Sequence, residues 1–422
     1  MAIPTPAETR PSLGTVLRFT PGAARSGVQR LQGGGFRVAS SSDFRVAPKV
    51  PNDFGGADVQ FFERFGIAIV RRDPDRLASV LQSAVADHVV SASRPELRYR
   101  ALDTLASRDY LRGYRDGVVE LVDRLTGPAT ESGPRAQAWD ETRLTWGLQA
   151  IGVGPGTTAT GAGVRVAVLD TGFDSTHRDF AGRAVTRKLF ASHSSPDDVD
   201  GHGTHCVGTA CGPRSPAGEP RYGVACESEI YAGKVLGDNG EGTDRSVIAG
   251  MEWALDAGCA VISMSLGADV PLGARPSEDY EQIGRICLDA GCLVVAAAGN
   301  ASARPGRIAP VNSPANASTI MAVAAVDRAL APAEFSCGGV NPGQDVDIAA
   351  PGVDVLSSWI GGGHRRLQGT SMATPHVAGV AALLAQLDAS HRGWTLWARL
   401  TQLARSLEAR SRDVGRGLLQ AP

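Results

Sequence analysis

The chain has 422 residues, 43% of them apolar and 20% charged, the make-up of an ordinary globular protein long enough for two domains. Its 42 basic and 44 acidic residues leave a net charge near −2, which gives no electrostatic case for nucleic acid or an anionic membrane as partner. No stretch supplies the roughly 18 uninterrupted apolar residues of a membrane span.

The opening "MAIPTPAETRPSLG", residues 1–14, lacks the basic and apolar regions of a secretory signal, so it reads as a disordered N-terminus. Cytoplasmic residence is favoured on that ground, with export by another route left open. "TVLRFTP" (15–21) and "FGIAIVR" (65–71) then read as strands, as does the stretch from Val89 to Leu102. Between the last two lies a helix with Asp73 as N-cap, Pro74 at its first position, and Leu77, Val80, Leu81, Ala84 and Val85 on one face. A shorter helix near 22–31 completes a βαββαβ pattern, so residues 15–105 form a small α+β, ferredoxin-like unit. Residues 106–126 carry an apolar helical face closed by Gly127, and "GPATESGPRAQAWDE" (127–141) is the best linker in the chain.

From residue 142 to 422 the texture changes. "VRVAVLD" (164–170), "IYAGKVL" (230–236), "AVISMSL" (260–266), "CLVVAAAGN" (292–300) and "IMAVAAVD" (320–327) are continuous apolar runs, typical of strands buried on both faces. Helical stretches such as 243–258 and 277–290 alternate with them. The fold class is therefore α/β, a doubly wound, mostly parallel sheet with helices on both faces. Function in such sheets gathers at the carboxyl ends of the strands.

All seven cysteines fall between Cys206 and Cys337. Cys206, Cys259, Cys287 and Cys292 sit in apolar contexts as small buried hydrophobes, and no spacing suits zinc. Cys211 and Cys226 flank a Pro/Gly-rich loop, and a bridge between them is left open.

Four residue types suited to acyl transfer stand at element ends. Asp170 closes a strand, His205 lies on the first turn after "DGHG", Asn300 ends a strand of small residues, and Ser371 opens an apolar helix with Pro375 in its first turn. Taken singly, each has a bland alternative: a turn aspartate, a core histidine, a turn asparagine and a helix N-cap. Together they supply an orienting acid, a base, an oxyanion donor and a nucleophile. "GAGVRV" (161–166) precedes its strand instead of following it, which argues against a dinucleotide site.

"AVLDTG", "HGTH", "SMSLG", "AAGN" and "GTSMATPHVAG", in that order, resemble the subtilisin-like (subtilase) serine peptidases, with proteinase K-like features at Cys206. The resemblance implies a serine endopeptidase with catalytic Asp170, His205 and Ser371 and with Asn300 in the oxyanion hole, His202 and His376 being structural. It implies that Ser265, Leu266, Gly267, Ala298 and Gly299 bind an extended substrate beside an apolar or permissive pocket, with Arg304 and Arg307 leaving acidic residues open. Asp179 matches a family calcium position, but the loop "ACGPRSPAGEPRYG" offers few oxygen ligands, so no cofactor or metal is expected to be required. The resemblance further implies that residues 15–105 act as a propeptide, an intramolecular inhibitor and folding aid. Self-cleavage is expected within the linker, and the enzyme is expected to be a monomer acting on peptide or protein substrates. The competing readings are a processing protease for one partner peptide and a catalytically silent binding protein.

Overall fold

The structure, a computed structural model, describes residues 13–44, 55–71, 73–102, 138–191 and 195–422. The helix expected over 106–126, most of the 127–141 linker and residues 1–12 lie outside the described residues. Of the expected disordered start, Gly14 is held in place, its N–H on Glu96 Oε2 at 3.0 Å.

The N-terminal unit contains β1 (Thr15–Phe19), α1 (Ala24–Gly33), β2 (Val38–Ser40), β3 (Val59–Phe62), β4 (Ile67–Val70), α2 (Pro74–Ala86) and β5 (Val90–Pro95). Its sheet runs in the order β2-β3-β4-β1-β5, with β1 antiparallel to both neighbours. The two-residue period of the strands decides what each face buries. Leu17, Phe19, Ala68 and Val70 pack with Leu31 and Leu77 of the two helices, while Val16, Ile67 and Ile69 join the core of the larger unit. α2 starts as its sequence dictates: Asp73 accepts the Arg76 N–H at 3.0 Å and Pro74 follows it.

The stretch from 89 to 102, read as one strand, divides. β5 stays in the N-terminal sheet, whereas β6 (Arg98–Ala101) leaves it and runs between β10 (Glu241–Thr243) and β12 (Leu266–Gly267) of the larger unit, antiparallel to both. The partners that hold β6 lie more than a hundred residues downstream, so no local pattern marks the break.

The larger unit is built on a parallel sheet of seven strands. These are β7 (Arg165–Asp170), β8 (Val185–Leu189), β9 (Glu229–Lys234), β11 (Val261–Met264), β13 (Leu293–Ala297), β14 (Met321–Val326) and β15 (Ile348–Pro351), in the order β15-β14-β13-β11-β7-β9-β8. The five apolar runs read from the sequence are its five inner strands, β7, β9, β11, β13 and β14. The edge strands β8 and β15 were not among them, β8 carrying Thr186, Arg187 and Lys188 and β15 following Asp345 and Asp347. A hairpin of β16 (Val355–Trp359) and β17 (Gly363–Leu367) leads to the central helix. The helices used below are α3 (His202–Cys211), α4 (Asp244–Asp256), α5 (Glu278–Asp289) and α6 (Thr370–Leu387).

α6 is buried from Thr370 to Ala385. Close packing requires Gly379, where an added Cβ would stand 2.5 Å from Val224 Cβ. Pro375 is not in the first turn as expected, because the helix begins at Thr370 and the proline falls in the second turn. Lacking an N–H, it leaves the Ser371 carbonyl without its helical donor, and Ser265 Oγ donates to that oxygen instead at 2.8 Å. Among the described residues no helix is long and apolar enough to cross a membrane. All seven cysteines are free and buried, so Cys211 and Cys226 are not bridged, and Cys211 Sγ accepts from Ser228 Oγ at 3.1 Å.

Candidate active site

Asp170 ends β7 in the middle of the sheet, fully buried. Its Oδ1 accepts the Thr171 N–H and lies 2.7 Å from His202 Nδ1. His202, not His205, is thus the histidine that meets the acid. The reason is where α3 begins. Asp198 caps the helix, its Oδ1 taking the Gly201 N–H and its Oδ2 the Thr204 N–H, so helical geometry starts at His202. His202, expected as structural, thus occupies the place beside Asp170 expected of His205. His205 faces elsewhere, with Nε2 against the carbonyls of Val355 at 3.0 Å and Arg365 at 3.1 Å, where it ties the hairpin to α3.

Electrostatics separates the two imidazoles. Burial works against a charge on His202, but the Asp170 carboxylate outweighs it and raises the His202 pKa well above 6.5. Burial, with the charge of His202 close by, pushes His205 down to about 3. His376 bonds Met372 O through Nδ1 at 2.8 Å and is pushed by burial down to about 4, as befits a structural residue.

Ser371, the second residue of α6, lies beside this pair. Cys206 connects them, with Sγ 3.7 Å from Ser371 O and 3.9 Å from His202 Nδ1. Burial raises the Cys206 thiol to about 11, so it stays protonated. Ser371 Oγ donates to Ser265 O at 3.0 Å, while His202 Nε2 is buried with no hydrogen-bond partner among the described residues.

Asn300 stands just beyond the end of β13. Its Oδ1 accepts the N–H and the hydroxyl of Thr370 at 2.9 and 2.8 Å, which turns its Nδ2 toward the cleft. Nδ2 donates to Leu102 O at 2.6 Å, and the Leu102 N–H reaches Ser265 O at 3.3 Å. Upstream of Leu102, Ala101 pairs with Leu266, Arg100 with Gly267 and Tyr99 with Gly242. The N-terminal unit therefore lays an extended segment through the cleft and seals it, leaving Asp170, His202 and Ser371 without solvent exposure. An added Cβ on Gly267 would meet Leu102 Cδ1 at 2.8 Å, so glycine there makes room for the leucine side chain. Ala298 and Gly299 hold the opposite wall through Asn312, whose N–H bonds Ala298 O at 2.9 Å. Arg304 pairs with Asp413 at 2.9 Å and Arg307 bonds Ala301 O at 2.6 Å, so both cations are engaged by partners of their own unit.

Asp179 serves a protein network. Its Oδ2 accepts from Tyr222 OH at 2.6 Å and lies 2.7 Å from His364 Nε2, and its Oδ1 accepts the Ala217 N–H at 3.2 Å. His177, Asp179 and His364 lie close enough to share an ion, within 4.8 Å of one another. However, ring nitrogens and a carboxylate already filled by donors do not fit calcium, which takes six to eight oxygens.

Three comparisons place the chain. The sequence pattern described as the Subtilase family matches residues 161–417. Subtilisin-like protease 3 of Pseudogymnoascus destructans is 39% identical over 262 residues, 58% of this chain and 60% of that one. Proteinase R of Parengyodontium album is 39% identical over 59% of this chain and 62% of its own. The chain thus spans under two thirds of the length of these two relatives, whereas the match to Subtilisin Savinase of Lederbergia lenta, 40% identical, covers 90% of that protein. A solved structure described as a cold adapted subtilisin-like serine proteinase superposes with a TM-score of 0.55 at 31% identity, covering 66% of this chain and 97% of that one. The chain belongs to the subtilase family.

Proposed function

We propose that this subtilase is a serine endopeptidase made as a self-processing zymogen, acting as a monomer without a required cofactor. The observation that carries the reading is Leu102, whose carbonyl oxygen rests on Asn300 Nδ2 at 2.6 Å beside the Ser371 hydroxyl. That is the placement of a scissile carbonyl between an oxyanion donor and a nucleophile. Rotation of Ser371 about χ1 exchanges its bond to Ser265 O for one to the unpartnered His202 Nε2. Ser371 Oγ then attacks the Leu102 carbonyl carbon while its proton passes to neutral His202. Asp170 holds the ring in the required tautomer and stabilises the imidazolium. Asn300 Nδ2 and the Ser371 N–H stabilise the oxyanion, assisted by the N-terminus of α6. The proton then goes from His202 to the leaving amine of Asp103, and water releases the acyl group by the same route in reverse.

On this reading the bond cut first is Leu102–Asp103, upstream of the linker, and the N-terminal unit remains as a product-like inhibitor until it is degraded. The pocket around Leu102 accepts an apolar side chain. Labelling by a fluorophosphonate probe tests the reading. Labelling of processed protein that is lost in Ser371→Ala supports a peptidase, and no labelling of processed protein supports a silent binding protein.

A further inference from the structure

Tyr99 is the fourth residue back from the bond that Leu102 presents, and it is buried to 1% exposure between the two units. Its ring meets Tyr280 of α5 edge-on, with centroids 6.1 Å apart. Its hydroxyl lies 3.1 Å from Asp244 Oδ1 and 3.4 Å from Ser313 Oγ. Asp244, the first residue of α4, is fully buried, and its cationic partner, Arg94, comes from the N-terminal unit. Oδ1 accepts from Tyr99, from Tyr280 OH at 2.9 Å and from Arg94 Nη2 at 3.2 Å, while Oδ2 accepts from Arg94 Nη1 at 2.7 Å and the Leu97 N–H at 2.6 Å.

These donors have different origins. Tyr280 belongs to the larger unit and stays. Arg94 comes from β5, outside the segment in the cleft, and departs with the N-terminal unit. The backbone N–H at the Leu97 position and the side chain at the Tyr99 position are what another extended peptide lying in the same register would bring. Once Arg94 is gone, the hydroxyl at that fourth position becomes the only side-chain donor a substrate bound like β6 offers Asp244. Burial, the Asp244 charge adding to it, raises the pKa of both phenols well above 10, so both are donors.

We infer that Asp244 is a specificity determinant, selecting substrates with a tyrosine at the fourth residue before the cleaved bond over those with phenylalanine there. This rests on the peptidase reading above and on β6 lying as a substrate lies. A phenylalanine at that position fills the same space against Tyr280 but leaves Asp244 Oδ1 with the Tyr280 hydroxyl as its remaining side-chain donor, and a buried carboxylate short of a donor is penalised.

The test uses the full chain, expressed and left to process, with aminocoumarin amides of X-Arg-Ala-Leu in which X is Tyr, Phe, Lys or Leu. The expected result is a kcat/KM about tenfold higher for Tyr than for Phe, with Lys and Leu below Tyr. In Asp244→Leu the Tyr/Phe ratio should fall to near one. Equal cleavage of the Tyr and Phe peptides by the wild type, or a preference for Lys, would overturn the inference while leaving the peptidase reading intact. Cleavage of none of the four by processed protein that a fluorophosphonate does not label would overturn both.

Discussion

Leu102 O and Asn300 Nδ2 lie 2.6 Å apart, although 198 residues separate them in the chain. The same residue reaches Ser265 O through its N–H, and Ser265 O also holds the Ser371 hydroxyl. A carbonyl, an amide donor and a hydroxyl thus meet at one point, where the N-terminal unit ends its path through the cleft.

The two histidines of "HGTH" have separable consequences. His202→Ala should lower turnover by about five to six orders of magnitude, the scale found on removing the base of a subtilisin, a relative of this chain. His205→Ala should instead act on stability, since it leaves Val355 O and Arg365 O without their ring partner, at about 1–3 kcal/mol. Denaturant midpoints and single-turnover rates on the two variants check the division. A His205→Ala protein of normal stability and no activity would reverse the assignment.

Self-cleavage should depend on pH in one direction. In the sealed cleft Asp170 raises the His202 pKa, so near neutrality the ring holds a proton and cannot accept one from Ser371. The first-order rate should therefore rise with pH above about 6.5, by up to about tenfold per unit, until the ring is neutral. Rates from quenched samples at several pH values measure this, and a rate that falls over the same range would contradict it. The ion pair also stabilises the folded form. Because the folded pKa is raised, that contribution is complete below about 6.5 and is lost as pH climbs through the folded value.

Release of the N-terminal unit should follow Glu252. This α4 carboxyl accepts the Arg64 N–H at 2.8 Å under the N-terminal unit, with Glu63, Asp256, Lys188 and the Arg64 guanidinium around it. Burial raises it to about 7. With the unit gone it returns toward an ordinary carboxyl near 4.3, so the bound state holds the extra proton between those values. The cleaved unit should bind more weakly as pH rises from about 4.5 to 7, by up to about tenfold per unit, and the slope should vanish in Glu252→Gln. Inhibition constants against a peptide substrate across that range are the check, and an unchanged slope in the variant would refute it.

Asn300→Ala should lower turnover by about two to three orders of magnitude, the cost of removing the equivalent donor in a subtilisin relative. Thr370→Val, which loses the hydroxyl bond that aims the amide, should show a smaller loss in kcat with KM little changed. A loss confined to KM would mean that these groups bind substrate and do not stabilise the oxyanion.

The five apolar runs and the ends they deliver, Asp170 and Asn300, were legible because strands buried on both faces impose composition on their own residues. Ser371 was legible from its apolar helix and the motif around it. The contact of His202 with Asp170 was missed because the motif was matched on its second histidine and His202 was set in the loop, whereas the helix, its first turn held by Asp198, begins at His202 itself. The break between β5 and β6 was missed for a different reason. Residues 98–101 look like any strand, and only β10 and β12, far along the chain, decide that they leave their own sheet. Pro375 misled in the same way, since the donor that compensates for it is the Ser265 side chain.

The most direct test of the account is the N-terminal sequence and intact mass of the larger fragment from wild-type protein, beside Ser371→Ala. A fragment beginning at Asp103 is expected as the first product of the wild type, beside a variant that stays at full length. A first cut within 127–141, or a Ser371→Ala chain processed like the wild type, would contradict it.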